Sequence, residues 1–262
     1  QIEKDSQAMV AYTSGTTGTP KGVNRTHGIL FDQVEVFKNR LISKDEGDEL
    51  TMFPSFVLGN MASFKTSVIV PPSWNKRILR NIDKNCKSIV SLTTAPAFLE
   101  KIIDERLFLN LKEVHLGGAL SDVTLVEKAL KRGLHVSHVY GSSEAEPVSM
   151  CDGRLSLQKS KERGYFQLTY LGDHVSEVSL KVGENDTLVT GGHVSKLYLN
   201  DEQSNKKHKH TDESGVVWHS MGDRLVQEED GLWFKGRSGA LLDDFELEQR
   251  IYRELENSSS FI

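Results

Sequence analysis

The densest run of residues able to do chemistry is Tyr12-Thr-Ser-Gly-Thr-Thr-Gly-Thr-Pro-Lys-Gly-Val23. The hydroxyl side chains of Thr13, Ser14, Thr16 and Thr17 alternate there with Gly15 and Gly18, and Lys21 follows. Small hydroxyl residues among glycines let backbone N–H and side-chain O–H groups converge on phosphate oxygens, and a lysine adds positive charge. The spacing excludes a Walker loop, which has four residues between its glycines and a Ser or Thr after its lysine. Here two residues separate Gly15 from Gly18, Pro20 precedes the lysine and Gly22 follows it. A glycine-rich stretch taken alone is more often a plain surface loop.

Shorter groups follow in chain order. Gly117-Gly118-Ala119 reads as a strand-to-helix turn, and Tyr140-Gly-Ser-Ser-Glu144 sets a carboxylate just past a candidate strand. A hard carboxylate oxygen suits Mg²⁺, although a lone glutamate after a strand is more simply a solvated surface group. Met221-Gly222-Asp223 and Gly236-Arg237 lie on either side of an Asp230-Gly231 turn.

Nine consecutive positions, Ser14 to Gly22, match the signature Ser-Gly-Thr-Thr-Gly-x-Pro-Lys-Gly. With the other groups in the right order, the chain resembles the adenylate-forming superfamily of acyl- and aryl-CoA ligases, peptide-synthetase adenylation domains and luciferases. The resemblance runs from about Ala8 to Arg237 and is weak between Gly153 and Gly172. It implies that Thr13, Ser14, Gly15, Thr16, Thr17 and Gly18 hold nucleotide phosphates and that Gly117, Gly118 and Ala119 lie along the adenine ring. It further implies that Tyr140 stacks on adenine, Ser143 contacts the α-phosphate, Glu144 holds Mg²⁺, Asp223 accepts from the ribose hydroxyls and Arg237 sits near ribose or phosphate. Lys21, Ser143 and Glu144 are on that basis the candidate catalytic residues. The implied reaction is ATP-dependent activation of a carboxylic acid as acyl-AMP, with Mg²⁺, followed by transfer to CoA, a carrier-protein thiol or an internal hydroxyl. Phe53-Pro-Ser-Phe56, Gly141 to Val148 and Val217 to Asp223 are similar to the branch of fatty-acyl ligase-like β-lactone synthetases, in which the internal hydroxyl is the acceptor.

The elements that must position these residues follow from periodicity. Residues 8–150 alternate β-branched runs with helical patterns, an α/β layer structure. Strands are expected at Met9–Tyr12, Ser88–Leu92, Glu113–Leu116 and His135–Tyr140, with a short buried one at Ser67–Pro72. Leu30, Val34, Phe37 and Leu41 mark one apolar helix stripe. Pro96 opens a helix carrying Phe98, Leu99, Ile102 and Ile103, and Ser121 is read as the cap of another that ends at Gly133. His27 is read as supporting the phosphate loop or capping a helix. Short β runs dominate past residue 165: Val178–Val182, Thr187–Thr190, Val216–Trp218, and a hairpin turning at Asp230-Gly231. Asp201–Asp212 reads as a polar loop, with His208 and His210 solvated between lysines. Three consecutive segments result: an α/β subdomain over 1–164, a β-rich subdomain over 165–237, and a hinge with the start of a further domain over 238–262.

Composition narrows the field. The 262 residues include 32 Lys and Arg against 37 Asp and Glu, a formal charge of −5, which disfavours a nucleic-acid surface. Only Cys86 and Cys151 are present, so a reducing, cytoplasmic setting is the expectation. No apolar run approaches the roughly 20 residues of a membrane helix. The resemblance also sets departures: family members carry a long stretch before the phosphate loop and a C-terminal domain with a lysine that promotes adenylation. This chain starts at Gln1, and Ser238–Ile262 contain no lysine. It is therefore expected to be a fragment of a ligase or, alternatively, a nucleotide-binding remnant with weakened catalysis and a structural or regulatory role. Phe53, Phe56, Val57 and Leu58 hint at an acyl or aromatic acid.

Overall fold

The computed structural model describes residues 2–13, 20–239, 245–247, 249 and 251. Contacts divide the chain into two units that interleave along the sequence. One is made of Gln1–Val36, Tyr140–Met150 and Leu171–Glu248, the other of Phe37–Val139, Cys151–Tyr170 and Gln249–Ile262. The strands that flank the phosphate loop thus share a unit with the β-rich stretch.

In chain order, β1 (Gln7–Thr13) and β2 (Lys21–Thr26) precede α1 (His27–Arg40). Then come β3 (Asp48–Thr51), α2 (Pro54–Ala62), β4 (Ser67–Ile69), α3 (Lys76–Asn85), β5 (Ile89–Thr94), α4 (Pro96–Asp104), β6 (Glu113–Leu116) and α5 (Val123–Lys131). Strands β7 (His135–Ser142) and β8 (Ala145–Asp152) lead into α6 (Gly153–Glu162) and β9 (Tyr170–Gly172). The remainder is β10 (Val178–Val182), β11 (Thr187–Gly191), β12 (Tyr198–Leu199), α7 (Glu202–His208), β13 (Lys209–Thr211), β14 (Val217–Ser220), β15 (Asp223–Glu228) and β16 (Gly231–Arg237).

The α/β unit is organised by parallel strands in the order β4-β3-β5-β6-β7. Their register aligns Leu50, Leu92, Val114 and Val136 in one row. That row packs with Phe98, Leu99 and Ile102 of α4 and Leu125, Val126 and Ala129 of α5 in a single core. Each such side chain contributes about 1.5–3 kcal/mol by leaving water. Because strand side chains alternate faces, the same register aligns Thr51, Thr93, His115 and Ser137 on the opposite face, beside Glu49 and Ser91. All six are buried. The Thr93 hydroxyl donates to Glu49 Oε1 at 2.6 Å, and burial pushes the Glu49 carboxyl up against the pull of that hydroxyl and of Asn60. Burial likewise holds His115 down to about 4, so it stays neutral.

Local expectations meet mixed outcomes. Strands β1, β5, β6, β7, β10, β11 and β14 stand where β-branched runs place them, and Pro96 opens α4. Ser67–Pro72 is not a buried strand: β4 is a sheet edge, and Ile69 is 60% exposed. The buried face of α1 is Ile29, Gln33, Val36 and Phe37, continued just past its end by Leu41, with Leu30 and Val34 only half covered. Thr26, not His27, caps that helix, its hydroxyl accepting from Ile29 N at 3.3 Å. Ser121 is fully buried and caps nothing; the residue before α5 is Asp122. The hairpin forms with Glu228 opposite Gly231, so its two-residue turn is Glu229-Asp230, one residue earlier than read. The segment Asp201–Asp212 is not a loop but α7 and β13. Asp201 caps α7 by accepting from Ser204 N at 2.9 Å, and Lys206, Lys207 and His208 fill its last turn, where the helix dipole favours cations. Trp74, Trp218 and Trp233 are packing residues as read: Trp74 meets Phe98 edge-on, while Trp218 and Trp233 donate to Asp212 and Asp230.

Glu49 gives a test with a defined sign. Its folded-state affinity for a proton exceeds the unfolded one, so its contribution is complete below the ordinary glutamate value and lost as pH rises through the folded value. Glu49→Gln removes this dependence. Thermal unfolding should place the variant above the wild type at about pH 8, with the gap closing towards about pH 4; a gap independent of pH would refute the assignment.

Candidate functional site

The ends of the phosphate loop are fixed by β1 and β2, whose register sets Thr13 directly opposite Lys21. Ser14, Gly15, Thr16, Thr17 and Gly18 lie outside the described residues. Lys21 Nζ stands 3.3 Å from His208 Nε2 and 5.5 Å from the centre of the Tyr198 ring.

The turn from β7 to β8 carries Ser143 and Glu144. Gly141 is required there, because a Cβ would meet Ala145 O at 2.6 Å and Glu146 Cα at 3.2 Å. Buried Arg25 fastens the turn: one guanidinium nitrogen donates to Ser143 O and another to Gln33 Oε1, each at 2.5 Å. Gln33 in turn donates to Glu146 O at 2.8 Å. The polar residue on the buried face of α1 is thus part of this brace. Ser195 N donates to Glu144 O at 2.8 Å from the other side.

The Glu144 side chain is buried and accepts at Oε1 from the Tyr198 hydroxyl, 2.6 Å away. Asn205 holds Tyr198 in place, accepting from Tyr198 N at 2.7 Å and donating to Tyr198 O at 2.8 Å. Lys209 Nζ lies 5.0 Å from the Tyr198 ring centre and donates to Ser195 O at 2.5 Å. Burial lowers Lys209 to about 7, while Glu144 pulls the other way. His219, opposite Lys209 in the β13–β14 pair, is lowered to about 3 by burial and by Lys209. Burial opposes charge on Glu144 as well, yet its surroundings hold its carboxyl below the ordinary value. The neighbours that favour the charged carboxylate are His219, then the Tyr198 hydroxyl, Lys209 and Ser142.

Asp223 forms a second centre. It is buried, and its Oδ2 accepts from the hydroxyl of Tyr140 at 2.7 Å. The β15–β16 register sets Arg237 across from it, with Nε 3.1 Å from Oδ1. That contact lacks hydrogen-bond geometry, and Oδ1 remains a buried acceptor with no donor. Asp186 anchors the approach to Asp223, accepting from Gly222 N at 2.9 Å, Thr187 N at 2.8 Å and the Ser220 hydroxyl. Burial raises Asp223, and Arg237 and Tyr140 work against it.

Thr13, Lys21, Tyr140, Ser143, Glu144, Asp223 and Arg237 belong to one unit, and Gly117, Gly118 and Ala119 to the other. Gly117 has no room for a side chain, since a Cβ would lie 2.9 Å from Val139 O, and Gly118 has φ +81° with Phe53 beside it. Phe56 stacks on Phe37 with ring centres 4.4 Å apart, a packing role. Arg25, Asp186, Tyr198, Lys209 and His219 were not singled out from sequence as site residues. Only α7 left a readable trace, in its Asp201 cap and basic last turn; the others enter through strand pairings between distant segments.

The chain belongs to the AMP-binding enzyme family, whose model matches residues 1–191. Among curated relatives it is 26% identical to the indoleacetate–CoA ligase of Aromatoleum aromaticum, over 92% of this chain and 50% of that protein. It is also 26% identical to the olefin β-lactone synthetase of Xanthomonas campestris, over 89% of this chain and 48% of that protein. Among solved structures, O-succinylbenzoate coenzyme A synthetase of Bacillus subtilis in complex with AMP matches with a TM-score of 0.72 at 23% identity, covering 92% of this chain and 51% of that one. That likeness establishes the fold, part of the large N-terminal domain of adenylate-forming enzymes with its α/β and β-rich portions. The chain spans about half the length of the curated relatives it matches. No helix among the described residues is long and apolar enough to cross a membrane.

Tyr198→Phe isolates the hydroxyl at Glu144. Near neutral pH it should lower the unfolding free energy by about 1.5–3 kcal/mol, the range for a hydrogen bond to a charged group. Because the folded carboxylate has a depressed proton affinity, the difference should shrink as pH falls through that value. Urea unfolding at two pH values measures both.

Proposed function

We propose that this chain supplies the nucleotide-handling part of an AMP-forming acid ligase, in which a carboxylate oxygen attacks the α-phosphorus of ATP and pyrophosphate departs. The observation that carries this reading is the buried Asp223 carboxylate, one oxygen held by the Tyr140 hydroxyl and the other ion-paired with Arg237 but without a hydrogen bond. A ribose hydroxyl is the donor such an acceptor lacks, and an unfilled buried acceptor is costly. Arg237, ion-paired with Asp223 but 69% exposed at its side chain, would turn towards a phosphate while its backbone stays in the hairpin. Tyr140 offers its ring to the base, and the loop between Thr13 and Lys21 offers N–H, O–H and ammonium groups to the β- and γ-phosphates.

Glu144 fits Mg²⁺: it is a buried oxygen donor kept ionised by its neighbours. Among the described residues no cluster of three or more His, Cys, Asp or Glu is positioned to hold a metal. A single carboxylate together with substrate phosphates is the usual Mg²⁺ setting. The metal would supply charge neutralisation on the leaving pyrophosphate. Ser143 stands next to Glu144, where its hydroxyl would meet the α-phosphate, and Lys21 would balance charge on the outer phosphates.

The acid and the acceptor follow the relatives: an acyl or aryl carboxylate, passed to CoA, a carrier-protein thiol or, as in a β-lactone synthetase, the substrate's own hydroxyl. Phe53 beside Gly118 gives the second unit an apolar surface suited to such an acid. Asp223→Ala should weaken ATP binding by about 1.5–3 kcal/mol by calorimetry. Equal affinity for ATP in mutant and wild type would place the ribose elsewhere, and no heat with ATP from folded wild-type chain would end the reading.

A further inference from the structure

Glu144 has an unusual setting for a metal-holding carboxylate. Lys209 is half-buried in β13, pinned opposite His219, and its ammonium is tied to Ser195 O at 2.5 Å. Ser195 also donates its N–H to the Glu144 carbonyl, so Lys209 and Glu144 are fastened to the same residue. The Tyr198 ring, whose hydroxyl grips the carboxylate, has Lys209 Nζ 5.0 Å and Lys21 Nζ 5.5 Å from its centre. Among the described residues no clustered second acid or histidine set completes a cation site around them.

From this geometry we infer that Lys209 makes Glu144 selective for a divalent cation already bound to phosphate, and excludes the bare ion. The inference rests on Glu144 being the metal-holding residue proposed above. A bare divalent ion at Glu144 would gain one carboxylate and be repelled by the Lys209 and Lys21 ammonium groups gathered about the Tyr198 ring that holds that carboxylate. A metal–nucleotide complex carries net negative charge, so the same two lysines attract it, and its phosphates complete the coordination that the protein lacks. Lys21 reaches the outer phosphates from the loop, whereas Lys209 is fixed and stays beside the carboxylate. It is a positioning and selectivity residue rather than a reacting one.

Mn²⁺ observed by electron paramagnetic resonance at about pH 6.5 tests this. The wild-type chain should bind no Mn²⁺ alone in the submillimolar range and should take it up with a non-hydrolysable ATP analogue. Lys209→Met should bind Mn²⁺ alone at least about tenfold more tightly than the wild type, and Glu144→Gln in that background should erase the gain. Bare-ion binding by Lys209→Met no tighter than wild type overturns the inference. So does submillimolar Mn²⁺ binding by the wild type alone that Glu144→Gln removes, a result that requires no folded variant at 209. If Glu144→Gln leaves Mn²⁺-dependent binding of the analogue unchanged, the reading of Glu144 as a ligand fails, and the inference with it.

Discussion

The hydrogen bond from Tyr198 to Glu144 is the contact around which the phosphate end of the site is built. It lies in a buried setting, where a carboxylate must be both hydrogen-bonded and offset in charge to remain ionised. The fold meets those two demands separately. Asn205 and the β12–β2 pairing fix the tyrosine, while the β13–β14 pairing delivers the lysine. Remove the tyrosine hydroxyl and the acid loses direction; remove the lysine and it loses its fixed counter-charge. The brace from Arg25 through Gln33 keeps the turn itself from drifting.

Asp223 solves a similar problem by different means. Its neighbours Tyr140 and Arg237 come from strands β7 and β16, and Asp186 holds the backbone just before it. One oxygen is hydrogen-bonded, and the other is met only by the ion pair with Arg237. An acid prepared in that way is oriented before anything binds, which lowers the ordering cost of binding.

Much of this could be read from residue order. The phosphate loop is local chemistry, complete within nine positions, and the parallel strands announce themselves because β-branched runs between helical patterns have few other uses. Lys209 could not be read that way. In sequence it is one of three lysines among histidines in a polar stretch, and only pairing with β14 brings it beside His219 and half covers it. The polar row of Thr51, Thr93, His115 and Ser137 is hidden for a related reason. Each strand presents one or two such residues, and only the register of four strands gathers them on one face. The half-step error on α1 came from Gln33, a polar residue on the buried side whose partners are the Arg25 guanidinium and the Glu146 carbonyl. Ser121 misled for the opposite reason: capping is the common use of a serine before a helix, and this one is instead enclosed.

The interleaving of the two units bears on the order in which the molecule can be made. Lys21 meets His208 across 187 positions, and Tyr140 meets Asp223 across 83. Chain emerging from a ribosome would complete the parallel strands β3 to β7 and could bury their apolar row while β10 to β16 were still unmade. The loop strands β1 and β2, synthesised first, would wait for β12 before their sheet was whole. Closing such long loops is slow relative to local pairing. The charged cluster about Glu144 therefore forms only once β12 to β14 have been made, and a nascent chain carries the acid long before it carries the lysine that answers it.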